Sequence, residues 1–412
     1  MKFSKLSQLI LVSFIGLIVA TVFTACAITT IDYVFVACSA GSGTSSNGQI
    51  QVYAVDSQSG ALRTGAATVS SGGVNPIALA ETSDYANLYV ANAGSNTVVH
   101  FAIGIYGVLT VKDTITTSGT PVSIAVNNAN TYLYVVSGPK PAVLTAYPLS
   151  SGSIGAVVST KTLSLYGTYA AYSGDVLVPT GLSALTNNTA VYVTAYDQSA
   201  YNPGCTPTPA CNPTSTANPG WIFGYTVGSG GVLTALANPY EAGIKPTAIA
   251  TDPTNRFAYV TDYASNQLVG YSIMGGDTLN FLLNGPFKTG NEPTAVVIDP
   301  RGKFIYVTNS LDSTVSPYAI DLATGTPTIS VSPTGTSTNA TDTEPVAVMI
   351  DPALGRFVYT ANYLGNSVSG FRLDPTAGSL TPTQATPYPT GSKPTAVIGV
   401  PHGNYSTQSV TP

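Results

Sequence analysis

The stretch Pro293-Thr-Ala-Val-Val-Ile-Asp-Pro-Arg-Gly-Lys-Phe-Ile-Tyr-Val-Thr-Asn309 holds the fold in miniature. A proline opens a short apolar run, an Asp-Pro-x-Gly segment reverses the chain, and a second apolar run rises through Phe304 and Tyr306. Pro presets φ at the second turn position and Gly accepts the positive φ that completes the reversal, so the two runs are the arms of a hairpin. The proline recurs at Pro76, Pro121, Pro179, Pro246, Pro293, Pro345 and Pro394, and the aromatic at Phe35, Tyr89, Tyr134, Tyr192, Tyr259, Tyr306 and Tyr359. Proline and aromatic stand 13 residues apart in five repeats and 14 in a sixth, a spacing that a fixed hairpin preserves and a tolerant loop does not.

A third run succeeds each hairpin and carries another aromatic, at Tyr53, Phe101, Tyr147, Tyr225, Tyr271, Tyr318 and Phe371. Alternation along this run, as in Ser367-Val-Ser-Gly-Phe-Arg-Leu373, places the ring on one face of a half-buried strand. Shorter, more polar segments such as 379–383 suit an outer edge. All-strand repeats of roughly 40 to 50 residues, each too small to bury its own apolar face, predict propeller blades. The expected fold is all-β, a seven-bladed β-propeller of four-stranded antiparallel blades. The chain starts with a second strand at Tyr33 and ends with an unpaired first strand from Pro394 to Val400, so C-terminal strand pairing in the N-terminal blade closes the ring. The expected layout is a leader over 1–25, a linker over 26–32, the propeller over 33–402 with a long loop at 196–220, and a tail over 403–412.

Lys2 and Lys5, an apolar run from Leu9 to Val22 and the small residues before Cys26 form an export signal. The Ala25-Cys26 junction resembles a bacterial lipoprotein box, although Phe23 departs from its preferred Leu, and that resemblance implies lipidation of Cys26. Cleavage after Ala27 and an uncleaved anchor about 20 residues long stay open. Removal of 1–25 leaves 12 basic against 19 acidic residues, a net charge of −7. A surface so acidic does not suit nucleic acid. Only 8% of the residues are charged, against about 25% in an average soluble protein, so hydroxyls and amides supply solubility. Cys205 and Cys211, with five residues between them, sit in a Pro- and Thr-rich stretch, and in an oxidising compartment they are expected to form a disulfide. Cys38, in an apolar run, reads as a buried core residue.

The residue before each repeat proline lies at one mouth of the expected channel: Asn75, Thr120, Val178, Lys245, Glu292, Glu344 and Lys393. Four consecutive blades thus supply Lys, Glu, Glu and Lys, a concentration at odds with so sparsely charged a chain. These four form the candidate ligand-binding site, with Glu292 and Glu344 as weak candidates for a catalytic base. The alternative is a set of solvated ion pairs of little energetic weight. The spacing Tyr192 to Tyr225 is 33 residues, so a long loop rises on the same face. Tyr166, Tyr169, Tyr172, Tyr196, Tyr201 and Trp221 around it offer stacking surfaces or ordinary packing. The two histidines, His100 and His402, fall away from the mouth, and neither Gly-x-Ser-x-Gly nor His-x-His occurs. No metal or cofactor is expected.

Tyr306-Val-Thr-Asn309, with its variants Tyr89-Val-Ala-Asn92, Tyr259-Val-Thr-Asp262 and Tyr359-Thr-Ala-Asn362, resembles the repeat of YVTN-type β-propeller proteins. Together with Pro-Thr-Ala-Val it also resembles lactonase-like seven-bladed propellers, which include one type of 6-phosphogluconolactonase. The resemblance implies fold over nearly the whole mature chain and says little of activity. Two functions are carried forward. One is a monomeric binding or scaffold module of the bacterial cell envelope, meeting a protein or glycan through its loop-bearing face and the membrane only through its lipid anchor. The alternative is a hydrolase opening a sugar lactone at the channel mouth. A role beside electron-transfer or quinone chemistry finds no supporting motif.

Overall fold

Every proline-led run becomes the innermost strand of a blade, beginning at its proline in Pro76–Glu81, Pro121–Val126, Pro246–Thr251, Pro293–Ile298, Pro345–Ile350 and Pro394–Pro401. The seventh, Leu177–Ala184, takes in two residues ahead of Pro179. The structure is a computed structural model that describes residues 29–39, 46–167, 169, 176–198, 220–331 and 335–403. The leader with Cys26, the Cys205–Cys211 pair, Tyr172 and Tyr201, most of the 196–220 loop and the tail from 404 onward lie outside them.

Seven antiparallel sheets form, each ordered inner, second, third and outer strand. In blade 6, for example, Pro293–Ile298 pairs with Phe304–Asn309, which pairs with Thr314–Ile320. The outer strand is broken in two in six blades, as in Pro327–Ile329 and Asn339–Ala340, whereas blade 2 keeps one of eight residues, Leu109–Thr116. Broken edges resist pairing with other chains, and the intact one carries a bulge at Lys112.

Ring closure matches the expected scheme. Pro394–Pro401 pairs antiparallel with Thr30–Cys38, setting Tyr33 opposite Val400 and Phe35 opposite Ile398. The strand begins inside the expected linker, at Thr30 rather than Tyr33, because Ile31 and Asp32 are fully buried against blade 7.

The seven apolar clusters of the described residues each join two neighbouring blades. The recurring second-strand aromatics are wholly buried at these joints. Their hydroxyls do more than fill space. Tyr89, Tyr192, Tyr259, Tyr306 and Tyr359 each donate to a carbonyl in the third-to-outer turn of the next blade, on Gly152, Asp277, Gly325, Gly378 and Gly60, at 2.5–2.9 Å. Each acceptor residue has positive φ, a backbone shape that glycine adopts without the clash a Cβ introduces. Third-strand tyrosines reach the other way. Tyr53 and Tyr318 donate to Pro389 and Lys288 of the preceding blade's outer strand, at 2.7 and 2.8 Å, and Tyr271 does so to Glu241.

Tyr134 is the exception, since its buried hydroxyl has no partner among the described residues. Tyr306→Phe and Tyr259→Phe should each destabilise the protein by about 1–2 kcal/mol, because a buried carbonyl loses its donor. Tyr134→Phe should be neutral or stabilising. Denaturant titrations of the three variants check this, and an equal loss at Tyr134 would contradict a stabilising role for the hydroxyl-to-carbonyl bonds between blades.

Candidate functional site

The mouth is built by the Asn or Asp that ends each YVTN-like run. Asn309, fully buried, accepts from the Gly290 amide at 3.1 Å and donates to Thr314 and Ser316. Asp262 accepts from the amides of Ile244 and Lys245 at 3.0 and 2.9 Å. The end of the second strand thereby holds the segment that leads into the inner strand of its own blade, so the motif residue shapes the rim.

Each ring residue is then fixed from both sides. Its carbonyl accepts an amide from its own blade: Tyr263 to Lys245, Ser310 to Glu292, Tyr363 to Glu344 and Ser39 to Lys393, at 2.7–3.1 Å. The amides of Glu292 and Lys393 are held by the preceding blade, with Asn266 Oδ1 accepting from Glu292 and Asn366 Oδ1 from Lys393, both at 2.8 Å, whereas that of Lys245 is held by Asp262 of its own blade. Below the rim, Thr247, Thr294 and Thr395 donate to the carbonyls of Pro293, Pro345 and Pro76 on the next blade, at 2.7–2.8 Å. This is the work of the Pro-Thr-Ala motif.

Four ring residues, Asn75, Glu292, Glu344 and Lys393, have φ between 51° and 58°. A side-chain-bearing residue in this left-handed region costs about 1–3 kcal/mol, and such strain gathers where a side chain must be aimed. Three of the four belong to the charged group named from the sequence.

The structure brings that group together across blades 5, 6, 7 and 1. Lys245, Glu292 and Glu344 are half-buried and Lys393 is exposed. Burial lowers the Lys245 ammonium from its ordinary value, and the charge of Glu292 opposes the shift. Burial and then Glu292 raise the Glu344 carboxyl, and Lys393 opposes them. Each group thus acts on its ring neighbour. The ion pairs among the described residues are His100–Asp113, Arg256–Asp252 and Arg301–Asp299, so no ring lysine lies within 4 Å of a ring carboxylate. The lysines instead lie against aromatic faces. Lys245 Nζ is 4.2 Å from the centre of the Tyr263 ring and 5.8 Å from Tyr196, and Lys393 Nζ is 5.5 Å from Tyr363.

Tyr263 and Tyr363 were missed in the sequence, although each comes directly after a YVTN-like run, as Tyr259-Val-Thr-Asp-Tyr263 and Tyr359-Thr-Ala-Asn-Tyr363. Of the two readings open for Trp221, stacking surface or packing, the structure shows packing. That residue is fully buried in the joint between blades 3 and 4, with Tyr169 edge-on at 4.5 Å. Tyr166 spends its hydroxyl on the Leu236 carbonyl at 2.9 Å. His100 is buried, stacked on Tyr89, and bonded to Asp113 and Asn87 at 2.9 and 2.8 Å. His402 packs edge-on against Tyr33 where the closing strand ends, at the face opposite the mouth. Among the described residues no cluster of three or more His, Cys, Asp or Glu side chains is arranged for a metal.

Residues 229–338 and 281–398 match the model of the family described as lactonase, 7-bladed β-propeller. The chain is a seven-bladed β-propeller whose C-terminal part is similar to that family. Similar solved structures include a candidate 6-phosphogluconolactonase of Bacteroides uniformis, with TM-score 0.70, 15% identity, and 90% of this chain and 100% of that chain covered. Another is the periplasmic gluconolactonase of Pseudomonas aeruginosa, with TM-score 0.68, 20% identity, and 90% and 99% covered. A protein of Lactobacillus plantarum superposes with TM-score 0.69 at 18% identity over 90% and 99%. At these identities the likeness is one of fold. A search of curated proteins finds no match.

The strain and the coupling make separate predictions for this mouth. Glu292→Gly should raise the melting temperature by a few degrees, because glycine relieves the left-handed strain. Glu292→Gln should lower the pKa of Glu344, because a like charge is removed. Calorimetry and a carboxyl carbon-13 NMR titration check the two, and an unmoved Glu344 would show that the ring is not electrostatically coupled.

Proposed function

We propose that this propeller is a lactone hydrolase working at the mouth formed by Lys245, Glu292, Glu344 and Lys393. The observation that carries the reading is the half-buried carboxyl of Glu344, raised by burial and by the neighbouring Glu292 carboxylate with Lys393 on its other side, in a fold similar to the lactonase propellers. A base with a pKa nearer neutrality serves better than an ordinary carboxylate, and like-charge pairs with partial burial are how such values arise.

In the proposed reaction Glu344 takes a proton from water as its oxygen adds to the lactone carbonyl. The oxyanion that forms is stabilised by the ammonium groups of Lys245 and Lys393. The ring C–O bond then breaks and the departing oxygen takes the proton from Glu344, leaving a hydroxy acid that releases its carboxyl proton to solvent, its carboxylate facing the same lysines. Glu292 keeps Glu344 basic, and Tyr263 and Tyr363 hold the lysines by cation–π contact.

We further propose an unphosphorylated sugar lactone as substrate and an exported location. The five arginines, Arg63, Arg256, Arg301, Arg356 and Arg372, all sit in or beside the turns of the opposite face, so no guanidinium fork waits at the mouth for a phosphate. The lysine-led apolar N-terminus supports export, where an unphosphorylated substrate is the natural one. A second reading, a binding module for a protein or glycan through the same face, is favoured by Leu311 and Leu364. They are 65% and 56% exposed in the second-to-third turns that rim the mouth.

Hydrolysis of unphosphorylated and phosphorylated sugar δ-lactones, monitored by acid release at constant pH, separates the readings. The wild type should favour the unphosphorylated lactone, with a rate that rises as Glu344 ionises. Glu344→Gln should lower kcat by roughly 100-fold or more with unchanged folding. A wild type no faster than buffer would leave the binding reading, and an undiminished Glu344→Gln variant would exclude Glu344 as the base.

A further inference from the structure

The seam that closes the ring buries two carboxyl groups against each other, far from the mouth. Asp32 lies on the N-terminal strand of blade 1 and Asp351 in the inner-to-second turn of blade 7, and both are fully buried. Asp351 is well supplied with donors, accepting from the amides of Leu354 and Phe357 at 2.7 Å and from Arg356. Asp32 is not. Neither of its oxygens makes a hydrogen bond of ordinary geometry, and the groups turned toward it are the Ala353 amide and the Asp351 carboxyl.

A buried carboxylate with no cation and a second carboxylate beside it cannot stay ionised cheaply, whereas a carboxylic acid there donates to its neighbour. We propose that Asp32 and Asp351 share a single proton across the seam between blades 7 and 1, so that the ring is closed most tightly in acid and loosens as pH rises. Desolvation, then the charge of Asp351, holds the Asp32 carboxyl well above its ordinary value. Asp351 is also raised by burial, against the opposing pull of its three amide donors. As in other close carboxyl pairs, the proton belongs to the pair.

Among the described residues no cation acts on either carboxyl. Tyr359 faces both carboxyls from the second strand of blade 7, and its hydroxyl is raised far above the ordinary range by burial and by their charges. Asp56 approaches Tyr359 from the third strand of blade 1. On the blade 2 side Tyr85 feels Glu81 and Asp32, and burial pushes the Glu81 carboxyl to about 7. His402 comes just after the closing strand, bonded through its amide to Ile31 and packed on Tyr33. Arg356 lends Asp351 its amide, while its side chain is exposed.

Linkage fixes the direction of the effect. An acid with a raised native pKa binds more protons folded than unfolded, so its stabilisation is complete below the unfolded value of 3.8 and is lost as pH rises through the native value. Between the two values the constant for opening the seam should rise about tenfold per pH unit. Glu81 adds a second loss of the same sign, confined to the window between 4.5 and about 7.

Hydrogen exchange by mass spectrometry on the mature chain, corrected for the intrinsic pH effect, tests the proposal on the peptides holding Thr30–Cys38 and Pro394–Pro401. In the wild type and in Glu81→Gln, exchange of these peptides should accelerate from pH 5 to 9. In Asp32→Asn, whose amide donates to Asp351 at every pH, it should not. The same acceleration in Asp32→Asn, or none in the wild type, overturns the proposal. Should Asp32→Asn fail to fold, the wild-type melting temperature over this range decides, since a flat profile would also overturn it.

Discussion

Among the described residues no blade owns a hydrophobic core. Each apolar cluster is shared between two neighbours, including the one that joins blades 7 and 1. A four-stranded sheet of this size cannot bury enough apolar surface by itself, so stability is a property of the joints, and an open end would expose one of them. The pairing of Thr30–Cys38 with Pro394–Pro401 is therefore what the remaining structure rests on. It also places Lys393 of blade 1 beside Glu344 of blade 7, so chain closure and the completed mouth are a single event.

Around the ring the joints use the same parts repeatedly: a buried ring for area, a hydroxyl aimed at a carbonyl, and a left-handed turn to present it. The tyrosines of the second strands reach forward and those of the third strands reach back, so both neighbours hold each blade by specific hydrogen bonds as well as by apolar contact. At the mouth the same backbone economy has another result. The Asn and Asp residues that terminate the second strands fix the rim, and the rim holds Glu292, Glu344 and Lys393 in conformations that a relaxed chain avoids. A rigid scaffold thus keeps the like charges of Glu292 and Glu344 close enough to act on each other.

Much of this was legible in the sequence, because a hairpin of fixed length leaves a fixed spacing. The blade count, the order of strands, the closing strand and the positions of Lys245, Glu292, Glu344 and Lys393 at one mouth are all set by the prolines and the residue before each. The rest depends on distances between blades. Trp221 looked available for stacking because it borders the long loop, yet it faces the joint with blade 3. Tyr263 and Tyr363 were overlooked because tyrosine is common here, and only their contact with the two lysines distinguishes them. Asp32 fell in an expected linker, since a single acidic residue before an apolar strand carries no mark of burial. The breaks in the outer strands were equally silent, being set by short polar segments with no strict period.

The proposed hydrolysis requires a lactone carbonyl seated among the two lysines and Glu344. A crystal structure of the mature chain with a non-hydrolysable lactam analogue of a sugar lactone tests this most directly. The amide carbonyl should lie within hydrogen-bonding distance of Lys245 or Lys393, with Glu344 poised on a water beside it. A lactam bound elsewhere on the ring, or absent from the mouth at saturating concentration, would contradict the proposed chemistry.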